Sequence, residues 1–170
     1  MSVRSDKDKP AMENTRRAKV TAPSEREIVI ERIFDAPRTL VFEAWTKAEH
    51  VSHWWDPSGV PLAICEIDLR PNGAFRFVNS GPDGAKYPFT GFYREITPPS
   101  RLVIGGPSPV SKGESLCTLV FSEQDDGKTT LTMTFACQSR ADRDALLKMR
   151  VDEGTVLTLN NLDAYLRAMV

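Results

Sequence analysis

His50 and His53 stand one helical turn apart, with Glu49 before them and Asp56 close behind. Paired imidazoles flanked by carboxylates have the residue types of a metal site, and imidazole is the usual general base near neutral pH. No third firm ligand follows, so the expected reading is a solvated helix face, with no metal and no cofactor. Tyr93 and Glu95, with His53, are the candidates for moving a proton, provided they point into a cavity with a shifted pKa. No G-x-S-x-G turn, Ser–His–Asp arrangement or phosphate-binding glycine loop occurs. Cys65, Cys117 and Cys137 are odd in number, lack metal-ligand spacing and sit in strand-like runs. They read as reduced core thiols of a cytoplasmic protein. No catalytic residue is assigned from these residue types.

The stronger chemical signal is apolar. Trp45, Trp54, Trp55, Phe75, Phe77, Phe89 and Tyr93 supply a large apolar surface, and Phe92 adds to it. A pocket lined by such groups, with a few polar points, is the usual small-molecule site. The competing reading is that these rings fill a core. Trp54 and Trp55 are adjacent on a short helix and cannot face the same way, so one packs inward and the other meets a pocket mouth or a partner. The candidate ligand-binding set is therefore Trp45, Trp54, Trp55, Phe75, Phe77, Phe89 and Tyr93, and the candidate partner is a small apolar or amphipathic molecule.

The elements that must position these rings follow from pattern. Glu27 to Phe34 is β-rich. Asp35 is expected to cap a helix whose first turn holds Pro37, and Thr46 with Glu49 reads as a capping box opening a second helix. From Leu62 to Leu69 apolar and charged residues alternate, as in a half-exposed antiparallel strand, and Ala74 to Asn79 is a further strand with Phe75 and Phe77 on one face; Glu66, Asp68, Arg70 and Arg76 are expected on the watered side. Tyr87 to Ile96 is a strand whose facing the sequence leaves open, because Gly91 reads as a bend or bulge. Leu102 to Ile104 reads as a short strand, with Gly105-Gly106-Pro107 as a loop that gates a pocket or merely connects. Leu116 to Ser122 and Thr129 to Ala136 form a hairpin. Val151, Thr155, Leu159, Leu162, Leu166 and Met169 recur at helical steps and make one apolar stripe. Ser139 caps a preceding segment that continues the same helix. Gly154 suggests either close approach of that helix to the sheet or a local break.

Length and composition set the frame. The chain has 170 residues, 41% of them apolar, and a net charge of −1, which suits one globular domain. That balance gives no support for nucleic-acid binding. No run approaches the roughly 18 apolar residues of a membrane span. Residues 1–25 are rich in charged residues, Ser and Pro and lack the apolar core of a secretory signal, so a disordered tail is expected, with the folded domain over 26–170. Met1 and Met12 are both candidate starts. The basic cluster Arg16-Arg17-Ala18-Lys19 reads as part of a solvated tail.

The order is strand, two helices, about six strands and a long C-terminal helix. The blocks Phe34-Asp35-Ala36-Pro37, Val41 to Thr46, Trp54-Trp55, Asp68 to Phe75, Gly91 to Leu102 and the closing stretch Gly154 to Leu166 resemble those of the family named for the activator of the heat-shock-protein-90 ATPase. That family lies within the START, birch-pollen-allergen and polyketide-cyclase (SRPBCC) superfamily. The resemblance covers roughly residues 26–168. It implies an α+β, helix-grip (START-like) fold: a curved antiparallel sheet around a long C-terminal helix, with two short helices after the first strand and a pocket between sheet and helix. Members commonly bind apolar or amphipathic small molecules there, and a few catalyse cyclisation or dehydration. The eukaryotic chaperone activators carry an additional N-terminal domain that makes much of the chaperone contact. Here about 25 residues precede the domain, so chaperone contact rests on the family name alone.

Overall fold

A computed structural model describes residues 18–169. Eight strands form a single antiparallel sheet: β1 (Lys19–Thr21), β2 (Glu27–Phe34), β3 (Ile64–Ile67), β4 (Ala74–Ser80), β5 (Lys86–Thr97), β6 (Arg101–Pro107), β7 (Glu114–Glu123) and β8 (Thr129–Ala136). Their spatial order is β1-β2-β8-β7-β6-β5-β4-β3. Six strands thus run as a meander, and the last of them returns to pair with β2. Two short helices, α1 (Arg38–Thr46) and α2 (Ala48–Trp54), sit between β2 and β3, and α3 (Arg140–Lys148) and α4 (Val151–Met169) end the chain.

One face of the sheet makes the core. Alternation puts Ile28, Ile30 and Phe34 of β2 on the same side as Leu131 and Met133 of β8 and Leu119 and Phe121 of β7, all buried. Leu159, Leu162 and Leu166 of α4 cover that face, as the apolar stripe requires. α1 closes one end. It buries Val41, Phe42, Ala44 and Trp45, and the Phe42 ring meets Phe121 edge-on at 5.3 Å. The Thr129 hydroxyl donates to the Ala36 carbonyl at 2.7 Å and fixes where the chain leaves the sheet.

Several local expectations need correction. Asp35 caps nothing. Pro37 is the N-cap of α1, its carbonyl accepts from the amides of Leu40 and Val41, and Asp35 lies too far upstream to reach them. Thr46 does not open α2. It is the last residue of α1, and its hydroxyl donates to the Phe42 carbonyl at 2.9 Å in its own helix, while Lys47 takes the N-cap position without a side-chain cap. Ser139 does cap α3, accepting from the Asp142 amide at 3.1 Å. α3 and α4 are separate helices, parted at Arg150, whose φ of 60° no helix continues.

The register shift in β5 falls between Tyr93 and Glu95, not at Gly91. Gly91 is there for space: a Cβ would overlap the Phe75 ring and the Gly105 carbonyl. Gly105-Gly106-Pro107 is no loop but the end of β6, paired with Leu116, Ser115 and Glu114. Lys19–Thr21, expected in a disordered tail, forms an edge strand against Val29 to Glu31. The chain just after it is also held, since Arg143 Nη1 donates to the Ser24 carbonyl at 2.7 Å. The rest of the expected tail, 1–17, lies outside the described residues.

Candidate functional site

Between the sheet and α4 lies a cavity of about 360 Å³. Its sheet wall is Ile104 of β6, Cys117 of β7 and Met133 and Phe135 of β8. Its helical wall is Leu146 of α3 and Val151, Gly154, Thr155, Thr158 and Leu159 of α4. Trp45, Trp55 and Pro57 close the end beneath the two short helices, and Phe75 and Phe89 enter from β4 and β5. No Asp, Glu, His, Lys or Arg is among its lining residues.

Strand alternation explains why these side chains meet. Pairing sets Ile104 beside Cys117 and Cys117 beside Phe135, so one inward row crosses three strands. On the far strands Phe77 pairs with Phe89, and Phe75 pairs with Gly91, whose bare backbone leaves room for the Phe75 ring. Phe89 keeps 48% of its surface exposed, so it stands at the cavity's edge. The Trp55 ring lies 5.5 Å from Phe89, 4.9 Å from Phe77 and 6.2 Å from Trp45. Such tilted and edge-on pairs hold the indole by packing alone.

The segment around Trp55 is tied to α4. Thr158 Oγ1 donates to the Trp55 carbonyl at 3.3 Å and to the Gly154 carbonyl at 3.1 Å, and Asn161 Nδ2 donates to the Asp56 carbonyl at 2.8 Å. Thr155 Oγ1 donates to the Val151 carbonyl at 2.8 Å. The two α4 threonines of the wall therefore spend their hydroxyl protons on backbone carbonyls. Burial pushes the Cys117 thiol up to about 12 and that of Cys65 to about 11. The Tyr93 phenol is raised as well, first by burial and then by Cys65. These groups stay protonated near neutral pH and bring no charge to the site.

The seven rings singled out from sequence divide. Trp45, Trp55, Phe75 and Phe89 line the cavity. Trp54, Phe77 and Tyr93 do not. Trp54 is fully buried, stacks edge-on against Trp45 at 4.7 Å and donates its indole N–H to the Ala44 carbonyl at 3.0 Å. Phe77 and Tyr93 are buried behind Phe75, at 4.9 and 5.4 Å. The acid–base candidates are scattered: Tyr93 in the core, Glu95 paired with Arg101 at 3.2 Å on the surface, and His53 exposed and stacked on Tyr165 at 5.7 Å. His50 Nδ1 lies 2.6 Å from the Tyr165 hydroxyl. Among the described residues no three His, Cys, Asp or Glu gather as a metal site.

Sequence reasoning assigned none of Cys117, Met133, Phe135, Gly154, Thr155 and Thr158 to a site, though it read Cys117 as a core thiol and set Thr155 on the helix stripe. The alternation in β7 and β8 marks Cys117, Met133 and Phe135 as inward-facing, the stripe on α4 holds Thr155, and Gly154 and Thr158 flank that stripe. Which inward residues stay uncovered depends on where the helix crosses the sheet, and no local pattern encodes that.

A second depression, about 810 Å³, lies on the outer face. Glu66, Asp68, Arg76, Lys112 and Glu114 surround a floor of Thr90, Phe92 and Gly106. Glu66, Asp68, Arg70 and Arg76 are all exposed. This groove is larger than the inner cavity, but it is rimmed by exposed charges of both signs. It offers an apolar molecule less than the uncharged wall inside.

The chain is similar to solved structures over most of its length. A protein of Rhodobacter sphaeroides is 25% identical, with a TM-score of 0.79, covering 90% of this chain and 99% of its own. A protein of Nitrosomonas europaea is 25% identical, with a TM-score of 0.76, covering 87% of this chain and 98% of its own. Protein Ms6760 of Mycobacterium smegmatis is 26% identical, with a TM-score of 0.74, covering 89% of this chain and all of its own. No curated protein matches. The model of the family described as "Activator of Hsp90 ATPase homolog 1-like protein" matches residues 35–167. The blocks read from sequence, the curved sheet gripping α4 and that match over most of the chain agree, and the protein belongs to this family.

Proposed function

We propose that this protein binds a small, uncharged, apolar or amphipathic molecule in the cavity between the sheet and α4, and that it performs no chemistry on it. The observation that carries this reading is the lining: mainly aromatic and aliphatic side chains around about 360 Å³, with the hydroxyls of Thr90, Ser115, Thr155 and Thr158 and no ionisable acid or base beyond a thiol held protonated. That volume is at the low end of the roughly 300–1,000 Å³ of small-molecule sites. At about 30 Å³ per water it equals a dozen water-sized groups, so the ligand has two or three rings or an equivalent chain. An anionic ligand would enter unpaired, because no cation lines the wall, and burying an unpaired charge is strongly unfavourable. A cyclase or dehydratase would need a general acid or base at the ligand, and Tyr93, Glu95 and His53 are all absent from the lining.

The test uses a matched pair of fluorescent probes. Phenylnaphthylamine is neutral, and anilinonaphthalene sulfonate is the same skeleton with one anionic group. The neutral probe is expected to gain fluorescence saturably at one site and to raise the melting temperature. The sulfonate is expected to bind at least about tenfold more weakly, the equivalent of about 1.4 kcal/mol. Equal binding of both, or no saturable binding of either, contradicts the proposal.

A further inference from the structure

Gly154 is the residue of the cavity's helical wall that has no side chain. The usual reasons for a glycine inside a helix do not apply to it. α4 runs unbroken from Val151 to Met169 through this position, and Gly154 is not among the glycines with positive φ. No neighbour crowds it either: a Cβ built on Gly154 meets no atom within 4 Å. Gly105 and Gly106 also line the cavity, and both are explained by crowding. A Cβ on Gly105 would fall 2.7 Å from the Phe92 ring, and one on Gly106 would fall 3.0 Å from the Thr90 carbonyl. A helical glycine with open space beside it gives up stability that alanine would restore. What the fold keeps in exchange is the space.

We propose that Gly154 is the specificity-determining residue of the cavity: its missing side chain is the room through which a ligand of two or three rings lies between α4 and the sheet. This rests on the proposed binding of a small uncharged molecule at that site. Two consequences have opposite signs. Any side chain but proline's favours the helix at this position, and any side chain beyond a methyl fills the space a large ligand needs. A glycine kept only for folding would give the reverse on the first count and nothing on the second.

The experiment compares Gly154→Ala and Gly154→Leu with the unaltered full chain, using phenylnaphthylamine as the large probe and naphthalene as the small one. Gly154→Ala is expected to raise the melting temperature by about 1–4 °C. Gly154→Leu is expected to fold and to weaken phenylnaphthylamine by at least about tenfold while changing naphthalene by less than about threefold. A lower melting temperature for Gly154→Ala, or a Gly154→Leu chain that does not fold, overturns the proposal, because the space would then not be open. Full retention of phenylnaphthylamine binding in Gly154→Leu overturns it while leaving the binding reading intact. Failure of the unaltered chain to bind either probe removes the binding reading and this proposal together.

Discussion

Trp54 buries its whole indole and satisfies its N–H on the Ala44 carbonyl, while Trp55 turns its ring to the cavity. Trp54→Ala leaves a large void and is expected to cost roughly 3–5 kcal/mol. Trp55→Ala is expected to cost distinctly less and to weaken phenylnaphthylamine instead. Urea denaturation and probe titration of the two variants check this, and the expectation fails if their stabilities fall equally. Arg32 is the other residue whose setting gives a sharp expectation. It lies at 4% exposure between β2 and α4, hydrogen-bonded to the Asn160 side-chain oxygen and 3.6 Å from the Asp163 carboxylate. Desolvation lowers its pKa, and Asp163 opposes that. Removing Arg32 leaves Asp163 with Arg167 at 2.9 Å, whereas removing Asp163 leaves a buried cation without its counter-charge. Asp163→Asn is therefore expected near the low end of the roughly 3–5 kcal/mol for breaking a buried pair, and Arg32→Met below it. The reverse ranking by urea denaturation would contradict this.

At the scale of elements, β7 and β8 show what the sequence makes legible. Their period-two alternation identifies the inward face residue by residue, and pairing puts Cys117 on it. A thiol enclosed there resists ionisation. The ordinary thiol value is 9.0, and burial moves Cys117 to about 12. Below 9.0 both folded and unfolded chains hold the proton, so this thiol does not weaken the fold. As pH rises from there toward about 12, the unfolded chain releases the proton first and the fold loses stability. Cys117→Val should keep most of the neutral-pH stability and lose less than the unaltered chain on going alkaline; parallel pH–stability curves would contradict the argument. Other parts were not legible, for physical reasons that differ from case to case. The capping expectations differ from the structure because Asp35, Pro37 and Thr46 each suit more than one position at a helix end, and a shift of one residue changes which first-turn amides are free. Gly105-Gly106-Pro107 looks like a loop in isolation and is a strand through its pairing with Leu116, Ser115 and Glu114 of β7, with the Phe92 and Leu116 side chains packed over Gly105. The division of the aromatics into four that line the cavity and three that back it depends on how α4 crosses the sheet, which is tertiary information.

Over the whole molecule, the sheet ends in two unlike edges: β3 beside α2, and the short β1. β1 carries exposed side chains only, so its contribution is its three-residue pairing with β2 and the neighbouring Ser24–Arg143 contact. A chain beginning at Ala18 is expected to melt like the unaltered one. A chain beginning at Glu25 is expected to melt about 2–4 °C lower, the scale of 1 kcal/mol in a domain of this size. Identical melting of the two truncated chains would show that β1 adds nothing. Among the described residues no helix is long and apolar enough to cross a membrane. The proposed ligand is expected on the inner face, with the outer groove left to solvent. The most direct test is the amide and indole spectrum of the isotopically labelled protein during titration with phenylnaphthylamine. The predicted result is that Trp55, Gly105, Cys117, Phe135, Gly154 and Thr155 shift together and saturate, while Glu66, Arg76, Lys112 and Glu114 stay in place. Shifts centred on those four outer residues, or none that saturate, would contradict it.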